Sequence, residues 1–370
     1  MKRLSIGIIC LIIIGLIMPV TACQNNSSPG AEGTNSLNVA VFYYNFSDAF
    51  LTEYREILDE NLKTMGVEYT NYDSGSDQAT QLEQVEEAIE NGADFLIVNI
   101  VDISPADGAH AIVEQARNAD IPVIFFNREI DDSVVNSYDK CVFVGGVPRE
   151  SGPMQGKMIA GFLLAGDNYS ETDLNGDGVI SYVMFKGMEG SIEADSRTVH
   201  SVDECNRLLE ADGKPPLQFY DESNSERYLV DPDGNWSREA SYNYMIGIMN
   251  EYNESNGNMI ELVIANNDDM AWGAVSALQE FGYNHDDSAG TIPVFGVDAM
   301  DFAQQLIREG KMTGTVRHDL QGMVTAVCVV AGNIVGGRDM MEGTSVYNVD
   351  EHVAKIRISF GIVTRGNTTQ

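Results

Sequence analysis

Positive charge is what this chain has least of. Its 370 residues carry 22 Lys and Arg against 56 Asp and Glu, a formal charge of −34. No basic patch offsets that balance, which excludes nucleic acid and an anionic membrane face as partners. The acidity tilts the expected ligand towards a neutral or cationic molecule. Cysteine is scarce as well. Of five cysteines, Cys10 and Cys23 fall in the N-terminal leader region. The remaining Cys141, Cys205 and Cys328 are odd in number, widely spaced and without metal or redox spacing. They read as small buried hydrophobes rather than as disulfide or metal partners. The chain also shows no nucleophile elbow, no phosphate-cradling glycine loop and no zinc motif.

What is present begins with the N-terminus. Met-Lys-Arg precedes an apolar run from about residue 4 to residue 20, which ends in Val20-Thr21-Ala22-Cys23. A basic start, an apolar stretch and small residues before a cysteine resemble a bacterial lipoprotein signal. Residues 1–22 are then a signal peptide, and Cys23 is the lipidated first residue of the mature chain. Its acyl chains would anchor the protein to a membrane on the extracytoplasmic face. Residues 23–36 are rich in Ser, Asn and Gly, the composition of a flexible tether. Loss of the leader removes Lys2 and Arg3, so the mature chain is more acidic still. The remaining ~330 residues suffice for two domains with their own cores.

From residue 37 onward, β-rich apolar runs alternate with helix-length amphipathic segments. Strands are expected at 37–44, 66–71, 95–100, 123–126, 142–145, 181–185, 217–220, 262–265, 294–297 and 314–316. Helices are expected at 49–65, 77–91, 106–119, 151–165, 193–210, 237–253, 269–281, 301–309 and 320–335. Such alternation gives an α/β fold with parallel sheets covered on both faces. Residues 93–125 and 262–295 echo each other as strand, helix and an Ile-Pro-Val strand, as two similar lobes would. Ligands of open parallel sheets bind beyond the carboxyl ends of the strands. Asp48, Asn127, Asn267, Asp268 and Asp298 stand at such ends. Each alone reads more readily as a turn or cap residue than as a ligand. Together, amides and carboxylates on separate strand ends suit a polyol, whose hydroxyls both donate and accept.

Residues 173–181, Asp-Leu-Asn-Gly-Asp-Gly-Val-Ile-Ser, match the first half of a calcium loop. Asp173, Asn175 and Asp177 occupy loop positions 1, 3 and 5, and Gly178 takes the sharp turn at position 6. The Val179 carbonyl falls at position 7 and Ser181 at position 9. Position 12, ordinarily a bidentate Glu, is Met184. Any ion here therefore needs a carboxylate from elsewhere in the chain.

Four segments carry a family resemblance: Ile-Pro-Val-Ile-Phe-Phe-Asn-Arg-Glu (121–129), Ser-Tyr-Asp-Lys (137–140), Glu-Leu-Val-Ile-Ala-Asn-Asn-Asp (261–268) and Ile-Pro-Val-Phe-Gly-Val-Asp-Ala (292–299). With the calcium loop in the same order among them, residues 37–363 resemble the galactose- and glucose-binding members of the type I periplasmic binding protein family. The resemblance implies two Rossmann-like lobes joined by three hinge crossings, near Gly146, His318 and Ile356. The lobes would comprise 37–146 with 319–356, and 147–318 with 357–370. A neutral monosaccharide would sit between them, in a monomer that feeds an ABC permease. By position, Asp48, Asn127, Arg197, Asn267 and Asp298 become sugar ligands, and Phe50 and Trp236 the aromatic platforms. Glu261 becomes the missing calcium ligand. The chain departs from the family at Ser191 and Glu193, where the family has His and Asp, at His318, where it has Asn, and at Ser181, where it has Gln. These changes leave the identity of the sugar open. A sensor that feeds a membrane kinase or chemoreceptor, and a sugar-processing enzyme, stay as alternatives.

Overall fold

The computed structural model describes residues 37–103, 106–285 and 290–368. The leader, Cys23 and the tether lie outside the described residues. The strands are β1 (Asn38–Tyr43), β2 (Glu68–Asp73), β3 (Phe95–Val98), β4 (Val123–Phe126), β5 (Cys141–Gly146), β6 (Ser181–Lys186), β7 (Gln218–Phe219), β8 (Leu229–Val230), β9 (Leu262–Ala265), β10 (Val294–Asp298), β11 (Gly314–His318), β12 (Asn348–Val349), β13 (Lys355–Ile358) and β14 (Phe360–Thr364). The helices are α1 (Ala49–Met65), α2 (Gln78–Glu90), α3 (Asp107–Asn118), α4 (Asp132–Asn136), α5 (Ser151–Leu163), α6 (Asn168–Thr172), α7 (Ile192–Asp195), α8 (Ser201–Ala211), α9 (Arg238–Glu251), α10 (Asp268–Glu280), α11 (Asp301–Arg308) and α12 (Leu320–Val335).

The strands form two seven-stranded sheets. One runs β12-β13-β5-β4-β3-β1-β2; the other runs β14-β11-β10-β9-β6-β7, with β8 also paired to β6. All pairings are parallel except β12–β13 and β11–β14. Both sheets belong to one compact unit, residues 36–370. Strands β3 (FLIV) and β4 (VIFF) are buried at every position, as expected for parallel strands with helices on both faces. Helix α1 buries Phe50, Leu51, Tyr54, Leu58 and Leu62, a stripe at helical spacing. Asp48 caps its start and Gly66, at φ 73°, ends it in the left-handed conformation. The sequence echo corresponds to β3-α3-β4 in one lobe and β9-α10-β10 in the other, adjacent pairs in their sheets.

The chain crosses between lobes three times. The first crossing follows Gly146 and the second follows His318, after which α12 packs on α1 of the N-terminal lobe. The third differs from the sequence expectation. Strand β13 runs to Ile358 beside β5, so the crossing falls at Ser359 rather than near Ile356. Two further expectations change. The helix expected at 193–210 is interrupted by a π-helical turn, Ser196–His200, and Cys328 is half-buried while Cys141 and Cys205 are buried. Among the described residues no helix is long and apolar enough to cross a membrane.

Candidate functional site

Strand ends from both lobes meet at one cavity. Tyr44, Asp48, Phe50, Asn127 and Arg128 line it from the N-terminal lobe. Ser191, Glu193, Arg197, Trp236, Asn267 and Asp298 line it from the other, and His318 lies at the hinge. All ten residues proposed as sugar ligands from the sequence stand there. Tyr44 and Arg128 were not anticipated, although Arg128 directly follows Asn127 at a strand end. The cavity is small. Its free volume is about 60 Å³. A larger cavity, about 800 Å³, lies in the C-terminal lobe where β10 and β11 begin. It is mostly apolar and faces away from the ligand ends of those strands.

In the N-terminal lobe, Asp48 caps α1 through Leu51 N (2.9 Å) and accepts the Tyr44 hydroxyl (2.7 Å). Burial pushes its carboxyl above the ordinary range, against the pull of those donors. Asn127 takes φ 65° directly after β4. Arg128 donates to the carbonyls of Ile100 (2.9 Å) and Val101 (2.7 Å) and lies 4.2 Å over the Tyr44 ring. Behind them, buried Asn99 accepts from Tyr44 N and donates to the Phe126 carbonyl, which ties three strand ends together.

In the C-terminal lobe, the π-helical turn carries Arg197. Its Nη1 donates to the Asn266 carbonyl (2.9 Å) and its Nε to Ser151 Oγ (3.2 Å). The guanidinium lies 5.5 Å over the Trp236 ring and 3.9 Å from Asp298. Asn267 caps α10 and donates to the Trp236 carbonyl (3.1 Å). Trp236 has φ 56°, and its ring rests on Gly187, where a Cβ would stand 2.0 Å from the indole. Gly187 is therefore the floor that this tryptophan needs. Asp298 (φ 118°) and Ala299 (φ 59°) form a strained turn after β10, and such strain concentrates at functional sites. Burial holds the Asp298 carboxyl well above its ordinary range. Arg197 pulls it down, while Asp268 and Asp48 push it further up.

Few bonds span the cleft. Glu193 accepts Glu129 N (3.3 Å), Arg128 donates to Met188 Sδ (2.9 Å) and Asn45 donates to Asn235 (3.3 Å). Glu193 also accepts the Ser191 hydroxyl (3.1 Å). At the hinge, His318 is stacked between Phe50 (5.1 Å) and Phe360 (4.7 Å). Burial, aided by the Arg197 charge, lowers its pKa to about 3, so the ring stays neutral. Its Nε2 is buried without a partner.

The loop whose sequence matches a calcium motif, residues 173–181, lies at the other end of β9. Asp173 accepts from Gly176 N and Gly178 N, and Asp177 from Val179 N and Asn175 Nδ2. Gly176 and Gly178 take the positive φ that the turn requires. Glu261, fully buried, accepts from Asn175 N (3.1 Å) and Ser181 N (2.9 Å), which sets its carboxylate against the loop. Ser181 Oγ donates to the Met259 carbonyl. Among the described residues no three His, Cys, Asp or Glu side chains converge closely enough to hold a metal ion. The donor set is all oxygen, the chemistry a hard cation prefers. Its carboxylates are turned to backbone N–H groups instead.

Comparisons with known proteins agree with this architecture. A family model described as periplasmic binding protein domain matches residues 39–339. The D-galactose/methyl-galactoside binding periplasmic protein of Haemophilus influenzae is 32% identical over 319 residues, 86% of this chain and 87% of its own. A putative rhizopine-binding protein of Rhizobium meliloti is 25% identical over 100% of this chain and 98% of its own. Among solved structures, an ABC transporter solute-binding protein from Bacillus halodurans with bound myo-inositol has a TM-score of 0.65. It is 24% identical, over 90% of this chain and 96% of that one, and at that identity the likeness speaks for the fold alone.

Proposed function

The chain belongs to the periplasmic binding protein family, and from that premise we propose that its cleft binds one neutral monosaccharide for delivery to an ABC permease. One observation carries the proposal. Three carboxylates, two amides and two arginines line a small cavity that also holds the rings of Phe50 and Trp236. The C–H faces of a pyranose are apolar and stack on rings, while polar edges read hydroxyls. Asp48, Asp298 and Glu193 suit hydroxyl donors, Asn127 and Asn267 suit either partner, and Arg197 offers a rigid fork to ring oxygens. A small cavity of this kind suits one small polyol. The reading assigns these carboxylates to recognition rather than to catalysis.

The Haemophilus relative's name points to a galactose-type ligand. Ser191, Glu193 and His318 make the choice of sugar the quantity to measure. Isothermal titration of the ligand-freed protein with D-galactose, D-glucose, D-xylose, D-ribose and myo-inositol is expected to give a single-site heat with at least one hexose. A folded protein that gives no heat with any of them overturns the reading. The proposal extends to an exported monomer anchored through lipid on Cys23, and to a structural calcium ion held by Asp173, Asn175, Asp177, the Val179 carbonyl, Ser181 and Glu261. The permease takes the sugar from the lobes as they open and close.

A further inference from the structure

We propose that Glu129 is a positioning residue that gears the ligand-facing turn of the N-terminal lobe to the hinge. This rests on the reading of the cleft as a binding site. Glu129 lies two residues after Asn127 and one after Arg128, and its side chain turns away from the cavity into a partly buried ion-pair network. Lys355 Nζ donates to Glu129 Oε1 (2.6 Å), to the Ile130 carbonyl (2.6 Å) and to Asp132 (2.6 Å). Arg357 grips both Glu129 oxygens, at 2.6 and 3.0 Å, and pairs with Asp350. The same guanidinium donates to the Gly146 carbonyl (3.0 Å).

The placement of those partners gives the network its role. Gly146 ends β5 at the first crossing. Arg357 and Lys355 belong to β13, whose last residue, Ile358, precedes the third crossing. One carboxylate thus joins the turn that carries Asn127 and Arg128 to two of the three hinge strands. Its own backbone N–H donates across the cleft to Glu193. Lobe opening must break that last bond while the hinge strands change direction. A turn fixed to those strands responds to the same motion. Buried ion pairs add little net stability, but they impose one geometry on the groups they join. Lys355 and Arg357 are 1% and 9% exposed and Glu129 is largely covered, while Asp132 and Asp350 reach solvent at the edge of the network.

The test is Glu129→Gln. Asp132 still faces Lys355 and Asp350 still faces Arg357 in that variant, so the fold is expected to persist. In ligand-free protein, amide exchange at residues 128–130 and 355–358 should accelerate several-fold, while β9 and β10 stay unchanged. D-galactose and D-glucose affinities should fall together, by about tenfold, through a smaller closed population. Their ratio should hold, because Glu129 touches no ligand. Unchanged exchange overturns the proposal, and so does a shifted galactose-to-glucose ratio, which would make Glu129 a direct contact. If the wild-type protein binds neither sugar, the functional reading fails alone and the ligand-free exchange still decides this one. Should the Gln variant misfold, Arg357→Lys keeps the charge but loses the fork. It should show the same pattern at smaller amplitude, and wild-type exchange in that variant overturns the proposal.

Discussion

The two lobes hold their ligand-facing turns by different means. In the N-terminal lobe the turn after β4 is fixed by ion pairs from Lys355 and Arg357 to Glu129. In the C-terminal lobe the turn after β10 is fixed by uncharged donors around one buried carboxylate. Asp268 accepts Thr315 Oγ1 (2.6 Å) and Met300 N (2.9 Å), and Thr315 Oγ1 accepts Ala299 N (3.3 Å). Gln155, from α5, donates to the carbonyls of Ala265 and Gly296. The first clamp reaches into the hinge, and the second closes on itself within its lobe. The contrast describes one jaw geared to the hinge and one jaw that is a fixed template.

The largest effect is expected where the template is cut. Asp268→Ala leaves the Thr315 hydroxyl and the Met300 N–H without an acceptor in a fully buried place. Each orphaned group costs ~1–3 kcal/mol, so the melting transition should lose about 3 kcal/mol, and sugar affinity should fall with it. Asp268→Asn keeps one acceptor and sharpens the comparison through pH. Burial pushes the Asp268 carboxyl up to about 7 from 3.8. The folded state therefore holds a proton that the unfolded state has released between those values, so this group's contribution falls as pH rises from about 4 to 7. Asn has no such slope. Its cost relative to wild type should be greatest near pH 4 and shrink towards pH 7. A cost that grows with pH breaks the picture of a buried, proton-holding clamp.

Next in size is the proposed aromatic platform of the same jaw. Trp236 is held by Asn267 and by the bare surface of Gly187. Replacing it with Ala should weaken binding by ~1–3 kcal/mol, the usual scale for an aromatic platform or hot spot. The melting temperature should hardly change, because the residue is half-buried and caps no core. Unchanged affinity in a titration removes Trp236 from the site and takes the template role from its turn.

The same contrast explains what the sequence made legible. β3, β4, β9 and β10 are apolar at nearly every position and flanked by turn signals, so their strand character and the polar residues at their ends are readable. Strand β13 is not readable. Its KIRI sequence places two cations in a buried strand, made tolerable by Asp350 nearby and by Glu129 and Asp132, the former some 226 residues away in the chain. The third crossing was misplaced for the same reason. Arg128 and Tyr44 escaped because their roles depend on packing: the guanidinium lies over the phenol and bonds to carbonyls of the loop after β3. The π-helical turn under Arg197 likewise has no local signal. It follows from the fit against α5, where a Cβ at Gly152 would stand 2.1 Å from the Ser196 carbonyl.

The smallest effect on affinity should come from the far end of the template. Glu261 directly precedes β9, and Asn267 lies two residues past its end. Six residues of extended chain put ~20 Å between the loop at 173–181 and the Asn267 amide. An ion there would neutralise Asp173, Asp177 and the buried Glu261, whose carboxyl burial already raises. It would tighten the lobe without touching the ligand. Chelator treatment should therefore lower the melting temperature, by about 2–4 °C for each kcal/mol lost, while titrated sugar affinity stays nearly unchanged. Calcium added back should restore the transition. A self-contained jaw predicts this separation. A large loss of affinity without a fall in melting temperature would mean that strain travels the length of β9, and the C-terminal lobe would then be no more a fixed template than the N-terminal one.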